Sequence, residues 1–183
     1  MHEFEFYFSF YGLLLGLSAA TLVVRFADAL GEHGKRRIGL LAPLLGIFVL
    51  LDVSSFWIWA WRARDFFEIN YMQMYVGLII AVAYFISASS AFPREGSDWT
   101  SLDDHYWHRK RMVVLGVLAA NAMLIAHATF ARPEIFDRGF IVEGVALFVP
   151  LMALLFTKKA AVDLTLLIWL CLYYLGGALI LQW

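Results

Sequence analysis

The chain has 183 residues, 62% of them hydrophobic and 16% charged, with a formal net charge of -1 and a mean hydropathy of +0.74. An ordinary soluble domain is nearer half apolar and a quarter charged, so this composition excludes one and implies a membrane protein. Six apolar stretches of about 20 residues, each able to cross roughly 30 Å of hydrocarbon, leave no room for a soluble catalytic domain, and the near-neutral balance carries no basic bias toward nucleic acid.

In chain order, the acidic start Met1-His2-Glu3-Phe4-Glu5 lacks the positive n-region of a cleaved secretory signal, so the first span is expected to be retained. The expected spans run from Phe4 to Val24, Ile38 to Trp61, Tyr71 to Phe92, Met112 to Phe130, Phe140 to Phe156 and Val162 to Gln182. The first, third and fifth connections hold Lys35, Arg36, Arg37, Arg94, Arg109, Lys110, Arg111, Lys158 and Lys159, with Arg25 snorkelling from span 1 beside Asp28. The second and fourth hold only Arg62, Arg64, Arg132 and Arg138. By the positive-inside rule this asymmetry turns both termini outward. Phe4, Phe6, Tyr7, Phe8, Trp57, Trp59, Trp61, Phe66, Phe67, Tyr71, Phe136, Phe140 and Trp183 fall near the outer boundary, the layer amphipathic rings favour.

The longest inner connection, Pro93 to Arg111, carries Asp98, Trp99, Asp103, Asp104, Tyr106 and Trp107 and reads as an interfacial turn. Gly12, Gly77 and Gly144 recur about 65 residues apart, as three helical hairpins with an internal repeat would place them. Pro43 and Pro150 remove backbone donors inside spans 2 and 5, where they either kink the helix or shape the bundle. Gly12-xxx-Gly16, Gly176-Gly177-Ala178 and Ser87 to Ala91 are small-residue surfaces suited to close packing, within one chain or between copies.

An ionisable residue inside a span is expensive, and so is a functional hypothesis by default. Asp52 lies fifteen residues beyond Arg37, about 22 Å into span 2, and His127 sixteen beyond Arg111, about 24 Å into span 4. Glu143 enters from the outer end of span 5 and Gln73 from that of span 3. Together these four suit one outward-facing polar layer that relays protons, holds a cation or titrates as a pH gate. The plainer alternatives are a local bond from Asp52 to Ser55, a headgroup contact for His127 and a helix N-terminus for Glu143. Asn121, flanked by Ala119, Ala120 and Ala122, either lines a pathway or clips two helices.

The only cysteine, Cys171, excludes an intrachain disulfide and a cysteine metal cage. The Walker pattern, the dinucleotide fingerprint and His-Glu-x-x-His are absent. His105-x-x-His108 is the only close histidine pair, which could bind a metal weakly or, more simply, belong to a solvated interfacial segment. One histidine well inside a span does not suit bis-histidine haem, and no cofactor is implied.

Phe8-Ser9-Phe10-Tyr11-Gly12-Leu13-Leu14-Leu15-Gly16-Leu17-Ser18 and Leu51-Asp52-Val53-Ser54-Ser55-Phe56-Trp57 resemble stretches of small uncharacterised six-span membrane proteins of bacteria. That resemblance implies a bacterial inner-membrane location and brings no activity. Glu143-Gly144 followed by Pro150 and Leu154-Leu155-Phe156 is similar to a signature of the acid-gated urea and amide channels, there in the final helix and here in span 5. From it comes only the general idea of a small oligomeric channel.

The expectation is an all-α integral membrane bundle of six spans in one domain, with lipid neighbours and a homo-oligomeric form. Its expected role is a channel or facilitative carrier for protons, a small ion or a small polar solute. The rival is a non-conducting scaffold or subunit that binds lipid, quinone or a partner protein through its aromatic half, where Trp57 and Trp61 share a helical face. An intramembrane enzyme is a third class, since an acid–histidine constellation can do chemistry without a motif.

Overall fold

A computed structural model describes residues 3–31, 37–62, 64, 70–94, 99–131 and 138–180. It holds six helices: α1 (Glu3–Gly31), α2 (Leu41–Arg62), α3 (Tyr71–Ala91), α4 (Leu102–Ala131), α5 (Arg138–Phe156) and α6 (Ala160–Ile180). All are long and apolar enough to span a membrane. The chain is a multipass membrane protein, an all-α bundle in which helices satisfy their own backbone groups, as hydrocarbon requires. Lys35, Arg36, Asp98, Arg132, Phe66, Phe67, Phe136 and Trp183, used above for topology, lie outside the described residues.

Consecutive helices pack as α1 on α2, α3 on α4 and α5 on α6, and further pairings tie these hairpins together, chiefly α1 with α3 and α2 with α6, then α4 with α5 and α2 with α3 and α4. Contacts show the sense of each. Ser87 of α3 donates to the carbonyl of Val113 at 3.1 Å while Tyr84 meets Asn121, so α3 and α4 are antiparallel. Phe26 stacks near Phe92 at 5.2 Å while Tyr11 lies against Gly77, so α1 and α3 are parallel. α2 adjoins α1, α3, α4 and α6, and is the most enclosed helix.

The hairpins do not repeat as equivalents. Gly12 faces the Trp57 indole and Gly77 faces Tyr7 and Tyr11, but among the described residues nothing would meet a side chain at Gly144. Among the described residues α5 packs mainly on α4 and α6, with nothing matching the α1–α3 contact. The spacing of glycines is therefore not a threefold arrangement of contacts.

Two local expectations are corrected. The segment read as an interfacial turn is helical from Leu102 onward and continuous with α4. Ser101 Oγ accepts from the Asp104 N–H at 3.1 Å, and Asp103 and Asp104 sit in the first turn, where a cap and negative charge favour a helix. Leu102, His105, Tyr106 and Lys110 then form one buried face, so tertiary packing extends the helix beyond its apolar run. Pro43, expected inside a helix, lies in the first turn of α2, where its missing N–H costs nothing. The N–H of Leu41 is capped from α4 by Asp103 Oδ1 at 3.3 Å. The same carboxylate lies where a Cβ on Gly39 would stand, so this approach requires glycine.

Pro150 does lie inside a helix, α5. Its absent N–H leaves the carbonyl of Ala146, four residues back, without a helical donor. Trp169 of α6 supplies one, Nε1 donating to that oxygen at 3.0 Å.

Candidate functional site

Asp52 sits eleven residues into α2 and ten before its end, about 16 Å from one and 15 Å from the other, so it is at mid-helix rather than in an outer half. It is 0% exposed. A lone carboxylate there is costly unless neutralised or hydrogen-bonded, and two other helices answer that cost. From α4, Asn121 Nδ2 lies 3.2 Å from Oδ1 and 3.1 Å from Oδ2. From α6, the Tyr174 hydroxyl donates to Oδ1. From α3, the Tyr84 hydroxyl stands beside this cluster, next to Asn121 Nδ2. Asn121 Nδ2 is 3.4 Å from the Tyr84 oxygen and 3.1 Å from the Val117 carbonyl. The Asn121 NH2 group only donates, so the Tyr84 oxygen accepts in that contact.

The donors are all neutral. Among the described residues no Lys, Arg or His pairs with Asp52. A buried carboxylate among neutral donors at the middle of a span is suited to taking a proton or a small cation and releasing it, because neither state is locked by a fixed countercharge. Ser55 does not occupy the carboxylate; its Oγ donates to the Asp52 backbone carbonyl at 2.7 Å.

The structure brings together Asp52 and Asn121 of the five residues singled out in the sequence. Gln73 and His127 are half-buried, roughly 16 Å along α3 from Tyr84 and roughly 9 Å along α4 from Asn121. Glu143 is exposed on α5. None of the three has a hydrogen bond to Asp52 among the described residues. Sequence reasoning missed Tyr84 and Tyr174. Their signal is a tyrosine inside an apolar run, whose hydroxyl must find a partner once buried.

A second polar group lies at the end where α4 and α6 begin, the end that also carries Arg25, Arg94, Arg109 and Arg111. Lys110 and Asp163 are 3% and 0% exposed, with Nζ 2.5 Å from Oδ2. Tyr106 donates to the same oxygen at 2.8 Å, Thr157 Oγ1 donates to Oδ1, and Nζ also donates to the Thr157 carbonyl at 2.6 Å. The ammonium stands 4.3 Å from the Trp107 ring centroid. Lys110 is thus not simply a charge that labels one side of the membrane. It ties α4 to the α5–α6 turn.

Nearby, Arg25 donates to the Ser89 carbonyl of α3, a partner across the bundle in place of Asp28. His105, expected in a solvated segment, is 5% exposed, its Nε2 3.0 Å from the Ser90 carbonyl. His108 instead bonds its own helix, Nδ1 2.8 Å from the Asp104 carbonyl. Among the described residues no three His, Cys, Asp or Glu side chains lie together as a metal site needs. Trp57, read as belt or binding surface, packs inward on Gly12 and Gly16, whereas Trp61 is exposed. No protein-family model, curated protein or solved structure matches the chain.

Proposed function

We propose that this protein is a small channel or facilitative carrier that passes protons or a small monovalent cation across the membrane, with Asp52 holding the cargo midway. The observation that carries this reading is the fully buried Asp52 carboxylate in the central helix, met by neutral donors from α4 and α6. Asn121 positions the carboxylate, and the two tyrosine hydroxyls can accept or pass on a proton. Clustered basic residues at one end of the bundle support an orientation with both termini outside, and the sequence resemblance supports a bacterial inner membrane. Among the described residues a Cβ at Gly144, Gly176 or Gly177 would meet no neighbour, which supports association of copies through α5 and α6.

A second reading is a non-conducting scaffold. It is favoured by the same completeness of bonding, since a satisfied Asp52 also makes a good clip between three helices. Flux separates the two. Proton and cation uptake into liposomes should exceed that of empty liposomes for the wild type and fall to the empty level for Asp52→Asn. Equal flux from the two proteins overturns the role of Asp52, and no flux from folded wild type favours the scaffold.

A further inference from the structure

Two helices with no extensive packing on each other among the described residues carry the same stripe. On α4, Lys110, Val114, Val117 and Asn121 follow at steps of four, three and four residues, and on α6 Asp163, Leu167, Leu170 and Tyr174 follow at the same steps. That spacing keeps side chains on one face of a helix. Each stripe starts with one partner of the buried Lys110–Asp163 pair and ends, about 16 Å further along, with a donor to Asp52. The four residues between are apolar and none is more than 1% exposed. α2 packs on both α4 and α6, and so does α5. α4 and α6 therefore face each other across the axis of a ring of four helices, bridged by polar side chains at two levels, and α1 and α3 stand outside that ring against α2 and α4.

The ring is tight toward the basic end, where α4 and α6 begin, and loose toward the other. On the tight side α5 adds the fully buried Leu151 and Leu154 to the apolar layer. Beyond Leu147 on α5 and Cys171 on α6, toward the opposite end, no described residue of either helix is buried, and Leu124, the next member of the α4 stripe, is half-buried. The hydrogen bonds between α4 and the α5–α6 hairpin divide in the same way. Among the described residues all of them lie at the basic end: Tyr106 and Lys110 to Asp163, Lys110 to Thr157, and Arg111 Nε to the Leu155 carbonyl at 3.0 Å. The apolar layer offers a water no polar partner and an ion no ligand.

We propose that the cargo path follows the axis of this ring, and that the Lys110–Asp163 bridge with the apolar layer behind it is the gate at the basic end, shut here so that Asp52 is reached from the opposite end. This inference deepens the transport reading and rests on it. Opening takes the α5–α6 hairpin away from α4 at the basic end. The two helices move together because only residues 157–159 separate them, and the movement parts Lys110 from Asp163 as water enters to solvate both charges. Closing expels that water and restores the pair.

The test reads access and flux separately. In the full chain reconstituted in liposomes of known orientation, with Cys171→Ala removing the native thiol, Leu167→Cys reports on the apolar layer and Leu124→Cys on the ring beyond Asp52. Labelling by a membrane-impermeant methanethiosulfonate is timed from each side. With the pair intact, Leu167→Cys should be protected from the basic end and Leu124→Cys should react from the opposite one. Asp163→Asn and Lys110→Met each break the pair from one side, and should speed labelling of Leu167→Cys from the basic end by about tenfold or more. Leu124→Cys should keep its rate in both, which also shows that the fold is intact. The gate is overturned if Leu167→Cys reacts readily from the basic end with the pair intact, if neither variant speeds it, or if Leu124→Cys reacts from neither side. Equal acceleration at Leu124→Cys overturns it too, since that is general loosening. Proton and cation uptake by the same liposomes decides the other question: the expected labelling with no uptake would sink the transport function and leave a ring that opens to water at one end.

Discussion

Replacing Asp163 by alanine should destabilise the bundle more than any other single charge removal at its basic end. The substitution strips Lys110 Nζ of its 2.5 Å partner, frees the Tyr106 hydroxyl bonded to that carboxylate and removes the acceptor for Thr157 Oγ1. The ammonium, 3% exposed, keeps the Thr157 carbonyl at 2.6 Å and the Trp107 face. Breaking a buried ion pair from one side costs about 3–5 kcal/mol, and the retained contacts put the expectation at the lower end, about 3 kcal/mol. Removing both charges as Lys110→Met with Asp163→Leu should cost less than about 1 kcal/mol, because no unpaired ion is left. The cycle of single and double variants, read by reversible unfolding in mixed detergent–SDS micelles with far-UV circular dichroism, should give a coupling of at least about 2 kcal/mol. Additive costs, or an Asp163→Ala loss below about 1 kcal/mol, would refute the reasoning. The latter would mean that the freed ammonium snorkels to water, so that the pair is effectively a surface one.

Trp169→Phe should cost about 0.5–1.5 kcal/mol in wild type and close to nothing in Pro150→Ala, where the residue-150 N–H returns to the Ala146 carbonyl; the same unfolding assay reads the difference. Gly46→Ala places a methyl 2.5 Å from the Phe92 ring and should lose about 1–3 kcal/mol. Gly144→Ala, in open space, should be neutral or slightly stabilising in the isolated chain. Asn121→Ala should lower proton or cation flux in liposomes and also stability by about 1–2 kcal/mol, since Asp52 loses the donor that spans both its oxygens; unchanged flux and stability would remove Asn121 from the site.

Membrane class, the number of spans and their alternating direction were legible in the residues themselves. A run of about 20 apolar residues has one stable fate in lipid, and short charged gaps force consecutive helices to reverse. Asp52 and Asn121 stood out for the same reason, being polar atoms that hydrocarbon penalises wherever their helices point. The partners were decided only by tertiary structure. Tyr84 and Tyr174 read as part of apolar helices until α6 brings Tyr174 onto the Asp52 carboxylate and α3 brings Tyr84 beside Asn121, and Lys110 reads as an inside charge until Asp163 closes on it. His127 and Gln73 have the composition of a site but lie roughly 9 and 16 Å along their helices from Asn121 and Tyr84, and Glu143 is exposed on α5. Hydropathy specifies how deep a residue lies along a helix, while rotation about the helix axis and the choice of neighbours come from side-chain packing between segments far apart in the chain.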